Sequence, residues 1–285
     1  MNLQWYPGHM TKAKRQMMED IKLIDLVIEL IDARIPYSGR NPDIDELSKG
    51  KSRLVLLNKS DLSDKDILRH WIDYFQEQNI NVLQINSKNP ADMKLVTDSI
   101  ATVCSQKIER DRKRGIKNRP VRAMVVGIPN VGKSTFINSY AKRSAAKTGN
   151  KPGVTKGRQW IRLSNTLELL DTPGILWPKF EDQAAGLKIA FIGSINDDII
   201  NKEELAFELI NFLNENYQGL IENKYGINIE DSDSAAEILY KIAVRRGCLL
   251  KGSDADTLRA ANIFLENFRN GKLGPICLDR PDLIK

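Results

Sequence analysis

Gly127-Ile-Pro-Asn-Val-Gly132-Lys133-Ser134 decides how this chain folds. It follows a short apolar run, Ala123-Met-Val-Val126, and precedes Thr135-Phe-Ile-Asn-Ser-Tyr-Ala-Lys142, a segment that can be helical. The pattern G-x-x-x-x-G-K-S between a strand and a helix predicts a phosphate-binding loop. Gly127 and Gly132 permit backbone conformations and close approaches that a Cβ would block. Successive N–H groups, from Asn130, Val131 and Gly132 to Ser134 and Thr135, then face an anion at a helix N-terminus. Lys133 supplies a positive charge to the β- and γ-phosphates, and Ser134 a hydroxyl to Mg²⁺.

Outward from this loop, short apolar runs alternate with helical segments. Leu26–Ile31, Arg53–Leu57, Asn81–Ile85, Ala123–Val126 and Leu167–Leu170 read as strands. Lys65–Gln78, Ala91–Val103 and Lys133–Lys142 read as helices between them. Such alternation predicts a mostly parallel α/β sheet. Upstream, a basic amphipathic helix is expected from Thr11 to Leu23, with Met17, Ile21 and Ile24 on one side. The basic stretch Lys107–Pro120 lacks apolar periodicity after Ile108 and reads as a surface connection, either a solvated linker or part of a nucleic-acid contact. From Pro178 onward only helices are expected, at Glu203–Glu215, Asp233–Arg246 and Asp254–Asn270, the last capped by Ser253 or Asp254. Leu258, Ala261, Leu265 and Phe268 recur there at the spacing of a core stripe. The chain thus divides into an α/β domain, residues 1–177, and a small all-α domain, residues 178–285.

Composition narrows the classes. Of 285 residues, 41% are hydrophobic and 28% charged, the balance of an ordinary globular protein. No apolar run is long enough to span a bilayer, and the N-terminal decapeptide lacks signal-peptide features, so no membrane role and a cytoplasmic location are expected. Cys104, Cys248 and Cys277 have no metal-ligand spacing and are expected to be reduced thiols. Residues 1–177 carry 30 Lys/Arg against 19 Asp/Glu, whereas residues 178–285 carry 13 against 18. The basic first part suits an anionic partner such as nucleic acid, although solubility alone would also explain it.

The base is specified by Asn58-Lys59-Ser60-Asp61, directly after a strand. In an N-K-x-D loop the Asp61 carboxylate can accept from N1–H and the exocyclic amine of guanine. Adenine has no such pair of donors and would leave the carboxylate unsatisfied, at a cost of about 1–3 kcal/mol or more. Lys59 can lie along the base plane, and Asn58 can tie this loop to the phosphate loop. Asn86-Ser87-Lys88 occupies the same place after the next strand and could close over the base through its backbone. Asp171-Thr-Pro-Gly174 also follows a strand, so that Asp171 can hold Mg²⁺ and the Gly174 N–H can meet the γ-phosphate. In the polar segment between, Thr155 is suited to complete the Mg²⁺ ligands.

These five motifs resemble those of Ras-like GTPases, but in the order base, base, phosphate, switch, switch. That order resembles the circularly permuted GTPases. The opening Trp5-Tyr-Pro-Gly-His-Met10, the turn Asp32-Ala-Arg34-Ile-Pro and the helical tail are similar to the ribosome biogenesis GTPase A (YlqF) family. The resemblance implies a GTPase acting late in assembly of the large ribosomal subunit, docking on ribosomal RNA through both domains, with no DNA partner. It also implies potassium activation, with Asn130 matching the residue type that coordinates the ion. Ile175 stands where Ras-like proteins place a water-orienting Gln. His9, in a turn-prone segment, is a candidate to activate water in its stead, although capping the nearby helix or touching RNA would account for it equally. In the C-terminal part, Lys241, Arg245, Arg246, Lys251 and Arg259 could touch phosphates, or could form a solvated face. Two other classes compete with a GTPase switch. An ATPase or nucleotide kinase is opposed by Asn58-Lys59-Ser60-Asp61; an RNA-binding scaffold with nucleotide as a structural ligand is left open by Ile175.

Overall fold

The computed structural model describes residues 17–116, 119–141, 159–163, 166–171, 183–252 and 254–281, with the backbone alone at Gln159 and Asp171. Its centre is a six-stranded sheet. The strands are β1 (Leu26–Asp32), β2 (Ser52–Asn58), β3 (Asn81–Ile85), β4 (Val121–Val126), β5 (Gln159–Arg162) and β6 (Leu167–Asp171). They lie in the order β3-β2-β1-β4-β6-β5, all parallel except β5, which runs antiparallel to β6. β1 is buried along its whole length, as a central strand covered on both faces must be.

Helices connect the strands. α1 (Pro42–Leu47) joins β1 to β2, and α2 (Lys65–Glu77) joins β2 to β3. α3 (Pro90–Val103) and α4 (Ser105–Lys113) carry the chain from β3 across to β4, and α5 (Lys133–Ala141) follows β4. Their starts obey capping chemistry: Asn41, Asp64 and Asn89 each accept a bond from a first-turn backbone N–H. α3 and α5 cover one face of the sheet with Met93, Val96, Ile100, Phe136 and Ile137. The segment from Met17 to Ile24, together with α1 and α2, covers the other. Met17, Ile21 and Ile24 are all buried.

α4 departs from the connection expected at Lys107–Pro120. It has no buried residue, so apolar periodicity could not reveal it. Good helix formers carry it instead, and Lys107 bridges Asp111 one turn on and Asp25, just before β1, at 3.1 Å each. This crossing joins the two halves of the sheet, the connection that a permuted chain order requires. The short antiparallel β5 was likewise absent from the expected pattern.

The remaining helices are α6 (Gln183–Phe191), α7 (Lys202–Asn216), α8 (Leu220–Tyr225), α9 (Ala235–Arg245) and α10 (Thr257–Arg269). α7, α9 and α10 pack around Leu205, Leu209, Ile238, Ile242, Phe264 and Phe268. α10 starts later than its sequence suggests. Leu249 and Ala255 form an antiparallel bridge, so Asp256, rather than Ser253 or Asp254, caps the helix through Arg259 N–H. The helix is consequently turned so that Leu258 is 52% exposed, and Ala260, Ala261, Phe264, Leu265 and Phe268 form its buried stripe. These helices share one contiguous buried cluster with the sheet. The final stretch runs back along the sheet's carboxyl edge, where Ile276 N–H donates to Leu62 O (2.9 Å) and Leu278 N–H to Arg34 O (2.7 Å). No described helix is long and apolar enough to cross a membrane.

Candidate functional site

The strand order reverses between β1 and β4: β1 leads outward to β2 and β3, β4 to β6 and β5. In an open α/β sheet the crevice beyond the carboxyl ends of such a pair is where ligands bind. Residues 127–132 turn there, ahead of α5. Gly127 has φ +150°, and a Cβ on it would lie 2.3 Å from Leu30 O. Gly132 has φ +99°, and a Cβ there would lie 2.6 Å from Asn58 Nδ2. Between them Asn130, with φ +61°, adopts the left-handed conformation, which asparagine tolerates better than most non-glycine residues. Lys133, largely buried, folds back over the loop, where Nζ donates to Gly127 O (3.0 Å) and Ile128 O (2.9 Å). Val131 is buried, while Ser134 and Thr135 are half-buried on the first turn of α5.

The loop after β2 closes on this one. Asn58 is buried and uses both ends of its amide. Nδ2 donates to Val131 O (2.8 Å), and Oδ1 accepts from Ser87 N–H (3.0 Å) and Ser87 Oγ–H (2.7 Å). One side chain therefore brackets three loops that lie far apart in sequence. Lys59, at φ +58°, places Nζ between Asp32 Oδ2 (2.9 Å) and Asn130 O (2.8 Å). Ser60–Leu62 make a single 3₁₀ turn that leaves Asp61 exposed. Asn86 follows β3 on the same edge, with its N–H on Asp92 Oδ2 (2.7 Å). An open depression of about 410 Å³ adjoins these two residues, walled by Lys65, Arg69, Gln84 and Asp92.

Two residues of this site are ones whose side-chain chemistry the sequence did not disclose. Asp32 and Arg34 served there only as landmarks of a family. In the structure Asp32 is buried and takes the Arg34 guanidinium in a fork, Nε–Oδ1 2.9 Å and Nη2–Oδ2 2.8 Å. Burial by itself would raise its pKa, yet Arg34 and Lys59 hold the carboxyl well below the usual carboxylate range. The second omission is the turn after α6. Asn130 Nδ2 donates to Gly193 O, and Ser194 Oγ–H donates to Pro129 O. Contacts between residues more than sixty positions apart leave no local signature.

Thr155, Gly174 and Ile175 lie outside the described residues, as does His9. Of Asp171 the backbone is described: it ends β6 and pairs in register with Val125, two residues before Gly127. A hydroxyl at Ser134 and a carboxylate on the neighbouring strand are hard oxygen donors of the kind Mg²⁺ takes. His70 is exposed on α2.

A parallel sheet with a phosphate loop at its switch point, bracketed by an N-K-x-D loop that comes earlier in the chain, defines a circularly permuted P-loop GTPase. The family described as "50S ribosome-binding GTPase" matches residues 122–236. Ribosome biogenesis GTPase A of Priestia megaterium (strain DSM 319 / IMG 1521) is 47% identical over 282 residues, covering 99% of this chain and 98% of its own. Mitochondrial ribosome-associated GTPase 1 of Bos taurus is 33% identical over 302 residues, covering 99% and 90%. The crystal structure of GNP-bound YlqF from T. maritima superposes with a TM-score of 0.66 at 29% identity, covering 96% of this chain and all of that one. The chain belongs to the ribosome biogenesis GTPase A family. It is a GTP-hydrolysing ribosome assembly factor, and its family implies guanine-nucleotide binding, usually with Mg²⁺.

Proposed function

We propose that this protein is a nucleotide-gated switch in late maturation of the large ribosomal subunit, working in the cytoplasm on ribosomal RNA. The observation that carries the reading is the Asn58 bracket, which joins the base loop to the phosphate loop through the protein's own hydrogen bonds. A ligand recognised by both loops then meets a base site and a phosphate site held in fixed relation to each other.

Each residue has a role in this reading. Asp61 accepts from the guanine edge, Lys59 and Ser60 flank the base, and Asn86 and Ser87 close over it. Backbone N–H groups from Asn130, Val131 and Gly132 through Thr135 receive the phosphates, with Lys133 countering the charge that develops on β- and γ-oxygens. Ser134, Thr155 and Asp171 are the Mg²⁺ donors, and Gly174 meets the γ-phosphate. Asn130 is the candidate ligand of an activating K⁺, and His9 the candidate to activate water in place of the Gln that Ile175 replaces. Residues 1–177 form the GTPase unit, and residues 178–285 the helical unit that shares in the ribosome contact.

The test is GTP turnover with and without purified large subunits, in potassium and in sodium. Stimulation by large subunits, greater in potassium, is expected. His9→Ala should retain GTP affinity while losing roughly 10²-fold or more of the stimulated rate. Stimulation by small subunits alone would refute the large-subunit assignment, and equal rates in the two salts would remove Asn130 as a potassium ligand.

A further inference from the structure

The phosphate loop's tip is held by more than the sheet. From Asn130 O the path runs to Lys59 Nζ, then to the Asp32 carboxylate, then to the forked Arg34 guanidinium. Arg34 continues it out of the sheet. Its Nη1 donates to Phe268 O (3.1 Å) and Arg269 O (3.3 Å) at the end of α10, and its guanidinium lies 5.0 Å from the centre of the Phe268 ring. The Arg269 side chain turns the path again. Its Nε donates to Phe191 O (3.0 Å) and Nη2 to Ala190 O (3.1 Å), while the Asp197 carboxylate accepts from Nη1 and Nη2 at 2.8 and 2.9 Å. This fixes the turn after α6, whose Gly193 and Ser194 bond back to Asn130 and Pro129. The ring is closed. The base loop is braced alongside it, where Leu62 lies against Gly271, just past α10, and its carbonyl accepts from Ile276 N–H (2.9 Å).

We propose that Asp32, Arg34 and Arg269 are positioning residues for guanine-nucleotide binding, which link occupancy of the phosphate loop to the seating of α10 and the turn after α6. The inference rests on the guanine-nucleotide reading above and adds the means of regulation. Asn130 is held from two sides by this one ring, by Lys59 at its carbonyl and by Gly193 at its side-chain amide. If the C-terminal helices shift, Arg34 loses its carbonyl partners, Asp32 loses the fork that orients it, and Lys59 loses its fixed place beneath Asn130. By reciprocity, a nucleotide that favours the ordered tip favours the seated helices by the same factor. A partner that grips or displaces α10 would thereby change nucleotide affinity without touching the nucleotide. Lysine cannot replace Arg34, since one ammonium cannot span both Asp32 and two carbonyls on another element.

The experiment is backbone hydrogen exchange on the full chain with and without GDP and Mg²⁺, alongside titration with fluorescent GDP, for the parent, Arg34→Lys and Arg269→Lys. In the parent, GDP should slow exchange at Gly193 and Ser194 and at Asn270–Lys272, as well as in the phosphate loop. Arg34→Lys should weaken GDP about 10-fold or more and abolish the remote slowing, while slowing at Gly132–Thr135 persists in the fraction bound. Arg269→Lys should behave likewise, although it touches neither base loop nor phosphate loop. GDP binding to the parent with no slowing at 193–194 and 270–272 overturns the proposal whatever the variants do. Parental affinity in a folded Arg34→Lys overturns it as well. Failure of the parent to bind GDP would overturn the guanine-nucleotide reading together with the ring.

Discussion

Gly132 shows how little freedom single positions have in this site. Its φ is +99°, and a Cβ added there would come within 2.6 Å of Asn58 Nδ2, so that even a methyl group must push Asn58 off Val131 and Ser87. Gly132→Ala should therefore weaken GDP binding by about 10-fold or more, because a buried amide loses its partners as well as the loop its shape. Titration with fluorescent GDP measures this, and parental affinity would refute the bracket's importance. Asp61 is the opposite case, since its side chain is exposed and the proposed role assigns its bonds to a ligand. Asp61→Asn should leave folding intact, weaken GTP and shift preference towards xanthosine triphosphate, whose 2-oxo group pairs with an amide donor. Competition between the two nucleotides decides it; an unchanged preference would show that Asp61 does not read the base.

At the scale of elements, the C-terminal strap is what ties the helices to the sheet. Asp279 is buried, with Oδ2 accepting from Tyr37 N–H (2.7 Å) and Ser38 N–H (2.8 Å), and Oδ1 from Ser38 Oγ–H and Lys188 Nζ. Two residues earlier in the strap, the Tyr217 hydroxyl accepts from Cys277 N–H (2.8 Å) and donates to Cys277 O (3.0 Å). Burial is the main reason that the Tyr217 phenol is pushed up to about 12, and the nearby Asp64 charge adds to it. A raised tyrosine favours the neutral form in the folded chain. The corresponding stability is full below pH 10 and is lost as pH rises towards 12. Tyr217→Phe should cost about 1 kcal/mol at neutral pH, from the lost hydrogen bonds, and should flatten this part of the alkaline decline. Denaturant midpoints across the alkaline range test it, and parallel curves for parent and variant would exclude Tyr217 as the titrating group. Burial also pushes the Cys277 thiol far above its ordinary value, so it stays protonated and unreactive while the strap is seated.

For the whole molecule, charge and gating act together. The excess of cations lies in residues 1–177, and α4 displays Arg110, Arg112 and Lys113 to solvent at the end of the sheet away from the phosphate loop. Association with large subunits should therefore weaken steeply with added salt, as phosphate contacts release counterions. It should also be stronger with a non-hydrolysable GTP analogue than with GDP, as the proposed nucleotide gating requires. Co-sedimentation across several salt concentrations measures both effects. Equal pelleting in the two nucleotide states would sink the switch, while salt-independent pelleting would point to a protein rather than an RNA contact.

The features legible in the chain before folding were local in origin. A strand–glycine loop–helix pattern, apolar runs of strand length and short motifs at strand ends can be read because each depends on neighbours within a few residues. They were enough for the α/β class and the permuted motif order. α4 escaped because a helix stabilised by its own propensity and ion pairs has no apolar stripe, and the start of α10 shifted because a pairing between Leu249 and Ala255 claimed its first turn. Only packing in three dimensions makes Asp32 and Arg34 buried partners of Lys59 and leans Ser194 on Pro129. It also closes the end of α10 on Arg34. Those bonds join residues up to 235 positions apart. Each side chain is an ordinary polar residue until burial removes water and leaves a distant partner as the only means of satisfying it.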